Sequence, residues 1–235
     1  MSNGPIGRSQ LISPFGVGAL YVGRDGVSVI SAGLDHWFEQ GEGSVGVLEE
    51  EFKISEWRLE IALQVDHFRM PADHRRPLPY QSEQIPNLSL YQPFLRFPRW
   101  HYCQDCHVLD QRPLTEQGRI FCRASGADRH RGRKRPMTQA PYIAVCPRGH
   151  IQDFPWREWV HRTLTPPDNH QMRLISKGSA GLGSEWIECE CGNTRSLGTI
   201  LNSDKESGEG LLSTLATQAG PNDDGAPYLC QGHTP

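Results

Sequence analysis

The first 102 residues contain no cysteine, and all seven cysteines lie beyond them. The chain has no GxxxxGK[ST] phosphate loop, GxSxG elbow, HExxH pair or helicase motif. Nucleotide hydrolysis, serine-type acyl transfer and zincin-type proteolysis therefore have no motif to rest on. No apolar run approaches the roughly 20 residues of a membrane-spanning helix, and the first ten residues lack an apolar signal core. A cytoplasmic protein with no membrane partner is the expectation. In that compartment thiols stay reduced, so metal outranks disulfide for closely spaced cysteines, and an odd count leaves no closed disulfide set. Core formers are also scarce. Hydrophobic residues make up 37% of the chain against 24 glycines and 18 prolines, a balance that predicts a loop-rich fold to which bound metal would add stability.

The cysteines are informative through their spacing. Cys103-Gln104-Asp105-Cys106 is a CxxC, and fifteen residues separate it from Cys122. Cys146-Pro147-Arg148-Gly149-His150 is a CxxxH, Cys189-Glu190-Cys191 a CxC, and Cys230 stands near the end. Short Cys/His spacings let neighbouring thiolates and imidazoles reach one tetrahedral zinc ion. A first site is expected from Cys103, Cys106 and Cys122, with His130 or His107 as fourth ligand. A second draws on Cys146, His150, Cys189, Cys191 and Cys230, one more donor than a closed site takes. One or two zinc ions are thus expected. The plainer reading keeps the cysteines as small buried apolar residues. A redox CxxC lacks the surrounding βαβ pattern. His36, His67, His74, His161, His170 and His233 lack a ligand spacing, apart from His233 beside Cys230, and read as surface or core histidines.

Charge is unevenly distributed. Residues 39–60 hold seven acidic and two basic side chains, whereas residues 123–135 hold six basic and one acidic. The basic run includes Arg129, Arg131, Arg133, Lys134 and Arg135, with nothing apolar to bury. Each cation could neutralise a phosphate and release a counterion. Few aromatics interleave with them, so backbone contact rather than base stacking is the nucleic-acid reading. The competing reading is a solvated loop, or one facing an acidic stretch such as Glu49-Glu50-Glu51.

The local pattern predicts an α+β chain. Residues 20–22 and 27–31 flank Gly23-Arg24-Asp25-Gly26, a hairpin signal. Ser55 suits an N-cap for a helix over residues 56–64. Trp57, Ile61 and Val65, with Leu59 and Leu63, give that helix a wide apolar face, expected to pack on the hairpin. Six prolines between residues 70 and 98 predict an extended connector. Short strands are expected at residues 143–145 and 186–188, and a helix with Pro155 in its first turn should run to His161. Phe154, Trp156 and Trp159 read as packed aromatics in preference to a partner anchor. The expected organisation is an N-terminal hairpin-and-helix part over 1–70, a Pro-rich connector over 71–98, and a loop-rich, zinc-bound module with short strands over 99–235.

In order along the chain, Arg8-Ser9-Gln10-Leu11-Ile12-Ser13-Pro14-Phe15-Gly16-Val17-Gly18-Ala19, Ala32-Gly33-Leu34-Asp35-His36-Trp37, Arg58-Leu59-Glu60 and Phe68-Arg69-Met70-Pro71 form a recognisable series. It continues with Arg96-Phe97-Pro98-Arg99-Trp100, the Cys103/Cys106 pair, Cys191-Gly192-Asn193-Thr194-Arg195-Ser196-Leu197 and Cys230-Gln231-Gly232. The most specific block is Cys146-Pro147-Arg148-Gly149-His150-Ile151-Gln152-Asp153-Phe154-Pro155-Trp156. Together they resemble the DrmB subunit of DISARM, a bacterial anti-phage system. The resemblance implies a zinc-binding domain of a kind also attached to superfamily 2 helicases, a DrmA-like helicase partner, and a role in handling foreign DNA. DrmB-like proteins are usually much longer, so the resemblance implies an N-terminal fragment, a truncated gene or one half of a split protein, the last with the missing C-terminal part as a partner. The expected function is a non-enzymatic, zinc-binding accessory subunit. Two alternatives stand beside it: a stand-alone DNA-binding zinc module, and a metal-dependent hydrolase using Asp153 or Glu190.

Overall fold

The computed structural model describes residues 16–23, 25–40, 46–71, 86–124, 129–178, 180–204, 212–218, 227–230 and 232. The N-terminal stretch before Gly16, His74 and His233 lie outside them. The chain divides into two compact units, Met1–Arg96 and Phe97–Pro235.

In the first unit, β1 (Leu20–Val22) and β2 (Ser28–Ser31) pair antiparallel. The turn between them is closed by Asp25 Oδ1, which accepts from the Val27 amide at 3.1 Å, and by Gly26 at φ +78°. A third strand, β3 (Phe94–Arg96), adds to β2. These residues belong to the stretch expected as connector. A small core forms where Phe38 stacks on Phe52 at 4.7 Å, flanked by Trp37 and Leu90. The helix expected near residues 56–64 is α1 (Trp57–Leu63), but none of its residues is buried, and Trp57 and Ile61 are 66% and 71% exposed. Its apolar periodicity was expected to face the hairpin. The core of the unit is instead filled by aromatics from turns, which carry no periodic signal. Its N-cap is Glu56 rather than Ser55, and the Glu56 amide donates to Glu60 Oε1, four residues on, at 2.9 Å.

The second unit is built on a six-stranded antiparallel sheet. Its strands are β4 (Trp100–Cys103), β5 (Val108–Gln111), β6 (Met137–Gln139), β9 (Met172–Ser176), β10 (Glu185–Cys189) and β11 (Thr194–Ser196), in the order β6-β4-β5-β9-β10-β11. A separate ladder pairs β7 (Ile143–Val145) with β8 (Ile151–Asp153), and α2 (Trp156–His161) follows directly. Directly opposed residues of antiparallel strands share a face. Tyr102 pairs with Leu109, Leu109 with Met172, and Met172 with Cys189, so these four lie on one face. That face carries the main core, where Trp100, Phe154, Trp156, Trp159, Met172, Ile187 and Leu197 are buried. Cys103 is out of phase with Tyr102 and therefore lies on the opposite face with its partner Met137, against Ile120. The aromatic cluster is packed: Trp156 and Trp159 are 1% and 0% exposed. Arg195 lies over the Trp159 ring at 3.4 Å from its centroid and donates to the Trp159 carbonyl at 2.9 Å, which locks α2 against β11.

The architecture is α+β in the broad sense, with strands dominating and three short helices among the described residues, the third being α3 (Thr214–Gln218). Among those residues no helix is long and apolar enough to cross a membrane.

Candidate metal centres

Four donors converge below the Cys103 face: Cys103, Cys106, Cys122 and His130, all within 4.8 Å of one another. The β4–β5 turn supplies the first two. The His107 amide donates to the Cys103 carbonyl at 2.7 Å, and His107 takes a left-handed conformation at φ 62°. That curls the chain so that both thiols face one point. His107 itself is exposed and outside the group; His130 takes the fourth corner. Spacing alone left those two histidines equivalent, and the return of the chain alongside β6 separates them.

The separations match a coordination polyhedron. An ion about 2.3 Å from sulfur and about 2.0 Å from nitrogen, in tetrahedral geometry, sets S–S edges near ~3.8 Å and S–N edges near ~3.5 Å. Cys106 and Cys122 sulfurs stand 3.7 Å apart, and Cys103 Sγ is 3.6 Å from His130 Nε2. A disulfide needs a sulfur separation of about 2.05 Å, and all seven cysteines are free. Burial pushes the Cys122 thiol up to about 12, and the neighbouring thiols Cys106 and Cys103 add to the rise. Thiolates this close need a cation to coexist. Asp105 Oδ2 lies 3.8 Å from His130 Nδ1 and 2.7 Å from Arg135 Nε. It sets a carboxylate behind the imidazole and ties the basic loop to the cluster.

The basic loop is therefore part of this centre. Arg129–Gly132 forms a tight turn in which His130, Arg131 and Gly132 all have positive φ, at 68°, 48° and 70°. The His130 side chain is only 8% exposed, while Arg131, Arg133 and Lys134 are exposed and Arg135 is half-buried. The turn sends its histidine inward and its neighbouring cations outward.

The five donors expected to share a second site separate into two groups. Cys146, His150 and Cys230 converge in one. His150 Nδ1 stands 3.4 Å from Cys146 Sγ and 3.7 Å from Cys230 Sγ, again S–N edges of the tetrahedral kind. The β7–β8 turn brings the first two together: the Gly149 amide donates to the Cys146 carbonyl at 2.9 Å, and Gly149 has φ +85°. Burial raises the Cys146 thiol. Hydrogen bonds from the His150 and Arg148 backbone and from the Cys230 and His150 side chains outweigh that effect and bring it down to about 7. The Gly232 amide donates to Cys230 Sγ at 3.4 Å. Beside these three donors lies a cavity of about 690 Å³, reached by Tyr228, Gln152 and Leu215.

Cys189 and Cys191 belong to the other group, with His161 and His170. Those two histidines were expected at the surface or in the core. No sequence signal joins them to the CxC: His161 closes α2, and His170 ends the loop before β9. Burial raises the Cys189 thiol, with Cys191 and Glu190 adding to it. Cys191, despite the same burial effect, is lowered by hydrogen bonds from the Asn193 backbone, Cys189 and the Asn193 side chain.

Among the described residues the three groups contain only thiols and imidazoles, the donor set of zinc. Neither carboxylate considered for hydrolysis is among these donors, although Glu190 stands between Cys189 and Cys191. Asp153 accepts from the Arg99 amide at 2.8 Å and from Arg99 Nε at 2.7 Å, and Glu190 is exposed.

Compared with curated proteins, the chain is 28% identical over 106 residues to DISARM protein DrmB of Bacillus paralicheniformis. The match takes in 45% of this chain and 19% of that relative, so it spans about a fifth of the relative's length. Residues 7–235 match one family, and the chain belongs to that family, described as a domain of unknown function, DUF8724.

Proposed function

We propose that this chain is a non-enzymatic, zinc-bearing accessory subunit of a DISARM-type anti-phage complex, working beside a superfamily 2 helicase and helping it engage DNA. The likeness to DrmB supports the setting. The observation that carries the chemistry is the Cys103/Cys106/Cys122/His130 group, whose 3.6 and 3.7 Å separations suit a closed tetrahedral zinc ion. Zinc in such a site is structural. It would hold the β4–β5 turn, the chain around Cys122 and the basic loop in one arrangement, with Arg131, Arg133 and Lys134 set outward towards phosphate. A second ion at Cys146/His150/Cys230 would fix the β7–β8 turn to the C-terminal segment.

Co-expression with a DrmA-like helicase tests the reading. The expected result is stoichiometric copurification, ATPase activity in the complex and none in the chain alone. Failure of the zinc-loaded chain to associate, or ATP hydrolysis by the chain alone, overturns it. A hydrolase reading is favoured by one observation, the three-donor group beside the 690 Å³ cavity, since catalytic zinc sites keep an open position. Metal-dependent cleavage of a phosphoester or peptide by the isolated chain, lost in Cys146→Ser, would favour it over the scaffold.

A further inference from the structure

We propose that His161, His170, Cys189 and Cys191 form a separate zinc site, which clamps the end of α2 to the β10–β11 hairpin. The inference rests on the reading that the cysteine turns of this chain carry zinc, and it adds a centre whose two histidines no spacing in the sequence marks.

Geometry, tautomer and an orphaned nitrogen argue together. The four donor atoms lie within 4.8 Å of one another, and Cys191 Sγ is 3.4 Å from His161 Nε2, close to the roughly 3.5 Å S–N edge of a zinc tetrahedron. His161 Nδ1 lies 2.8 Å from the Arg157 carbonyl, one helical turn back in α2. A carbonyl only accepts, so Nδ1 carries the proton and Nε2 presents its lone pair to the cluster. This is the backbone-oriented imidazole found at zinc sites. His170 Nδ1 is buried and has no hydrogen-bond partner. Buried polar atoms are rarely left so, and coordination would satisfy this one. The rings of the two histidines stand 5.9 Å apart and tilted by 45°.

The surroundings hold the donors in place without the ion. Arg157 Nη1 reaches the carbonyls of Pro167 and His170, at 3.4 Å each, which folds the loop after α2 back towards the helix. The Gly192 amide donates to the Cys189 carbonyl at 3.0 Å, and Gly192 at φ +94° turns Cys191 back beside Cys189. Cys189 is on the core face of the sheet and Cys103 on the opposite one, so the two centres are built on different sides of the sheet and cannot share an ion. Two thiolates and two neutral imidazoles balance a divalent zinc, whereas three thiolates and one imidazole leave the Cys103 centre one negative charge in excess.

The test is metal content of the full chain by inductively coupled plasma mass spectrometry, on wild type, H161A/H170A and H161C/H170C. The expected result is one zinc fewer per chain in the alanine pair than in wild type, with the wild-type count restored in the cysteine pair, since thiolates also ligate zinc. Cobalt(II) loading should then show stronger thiolate-to-metal charge-transfer absorption in the cysteine pair. An unchanged zinc count in a folded alanine pair overturns the proposal. So does a cysteine pair that holds one ion fewer than wild type, and this second variant decides the matter if the alanine pair aggregates. Helicase pull-down of the same proteins keeps the two readings distinct. Loss of one ion with the complex intact supports the site alone, while normal zinc content without complex formation removes the scaffold and leaves the site standing.

Discussion

Replacing Arg112 should loosen the Cys103 centre from a distance. Arg112 is 2% exposed. Its Nη2 lies 2.7 Å from Asp110 Oδ2 and donates to the Phe121 carbonyl at 2.9 Å, and Phe121 immediately precedes Cys122. The guanidinium therefore braces the approach to the Cys122 thiol from the end of β5. Arg112→Met keeps most of the volume and removes the donor. The Phe121 carbonyl then loses a charge-assisted bond, at a cost of about 1.5–3 kcal/mol. Asp110 is 32% exposed and regains water, so its lost pairing adds no more than about 1 kcal/mol. No longer burying a cation returns part of this. A net loss of about 2–3 kcal/mol remains, and at roughly 2–4 °C per kcal/mol for a chain of this length the thermal midpoint should fall by about 4–12 °C. Zinc should also leave faster to a competing chelator, by about 10–100-fold if Arg112 acts as outer-shell support does elsewhere. Arg112→Lys keeps the charge but loses the planar fork that serves two acceptors, so it should fall between. Melting followed by circular dichroism and zinc release followed with a chromogenic chelator read both effects. A methionine variant with wild-type midpoint and wild-type zinc release would refute the brace.

Exhaustive chelation of the whole chain should lower its melting temperature and release protons on zinc re-addition, because the ligands bind as thiolates; an unmoved melting curve counts against any structural ion. Arg131→Gly relieves a left-handed arginine at φ 48° and should stabilise the chain by about 1 kcal/mol, measurable by denaturant midpoint, while weakening DNA binding. Stability and phosphate contact would thereby be separated at one residue. R133Q/K134Q should reduce the slope of log binding constant against log salt by about 1.8 on duplex DNA; an unchanged slope places the contact elsewhere. Trp159→Ala, at a 0% exposed position, should cost about 3–5 kcal/mol and also strip Arg195 of the ring beneath it.

The turns that bring thiols and imidazoles together were legible because they are local. CxxC, CxxxH and CxC each close within one turn of backbone, so spacing alone brings their donors near one point. The same holds for Pro155 opening α2 and for the strands entering Cys146 and Cys189. The core aromatics of the first unit were not legible, since Trp37, Phe38 and Phe52 come from turns and short helical segments without a period, and the one periodic helix, α1, is exposed.

What tertiary structure alone decided is which turns meet. Nothing in the spacing separates Cys146 from Cys189, yet β10 places Cys189 on the core face of its sheet and the β7–β8 ladder carries Cys146 to another partner, Cys230. His161 and His170 join the CxC because α2 and the loop after it pack over β10 and β11. Composition and spacing determined that this chain would gather thiols and imidazoles into clusters. The number and membership of those clusters followed from strand register and sheet face, because side chains distant in sequence meet only where the packed chain brings them.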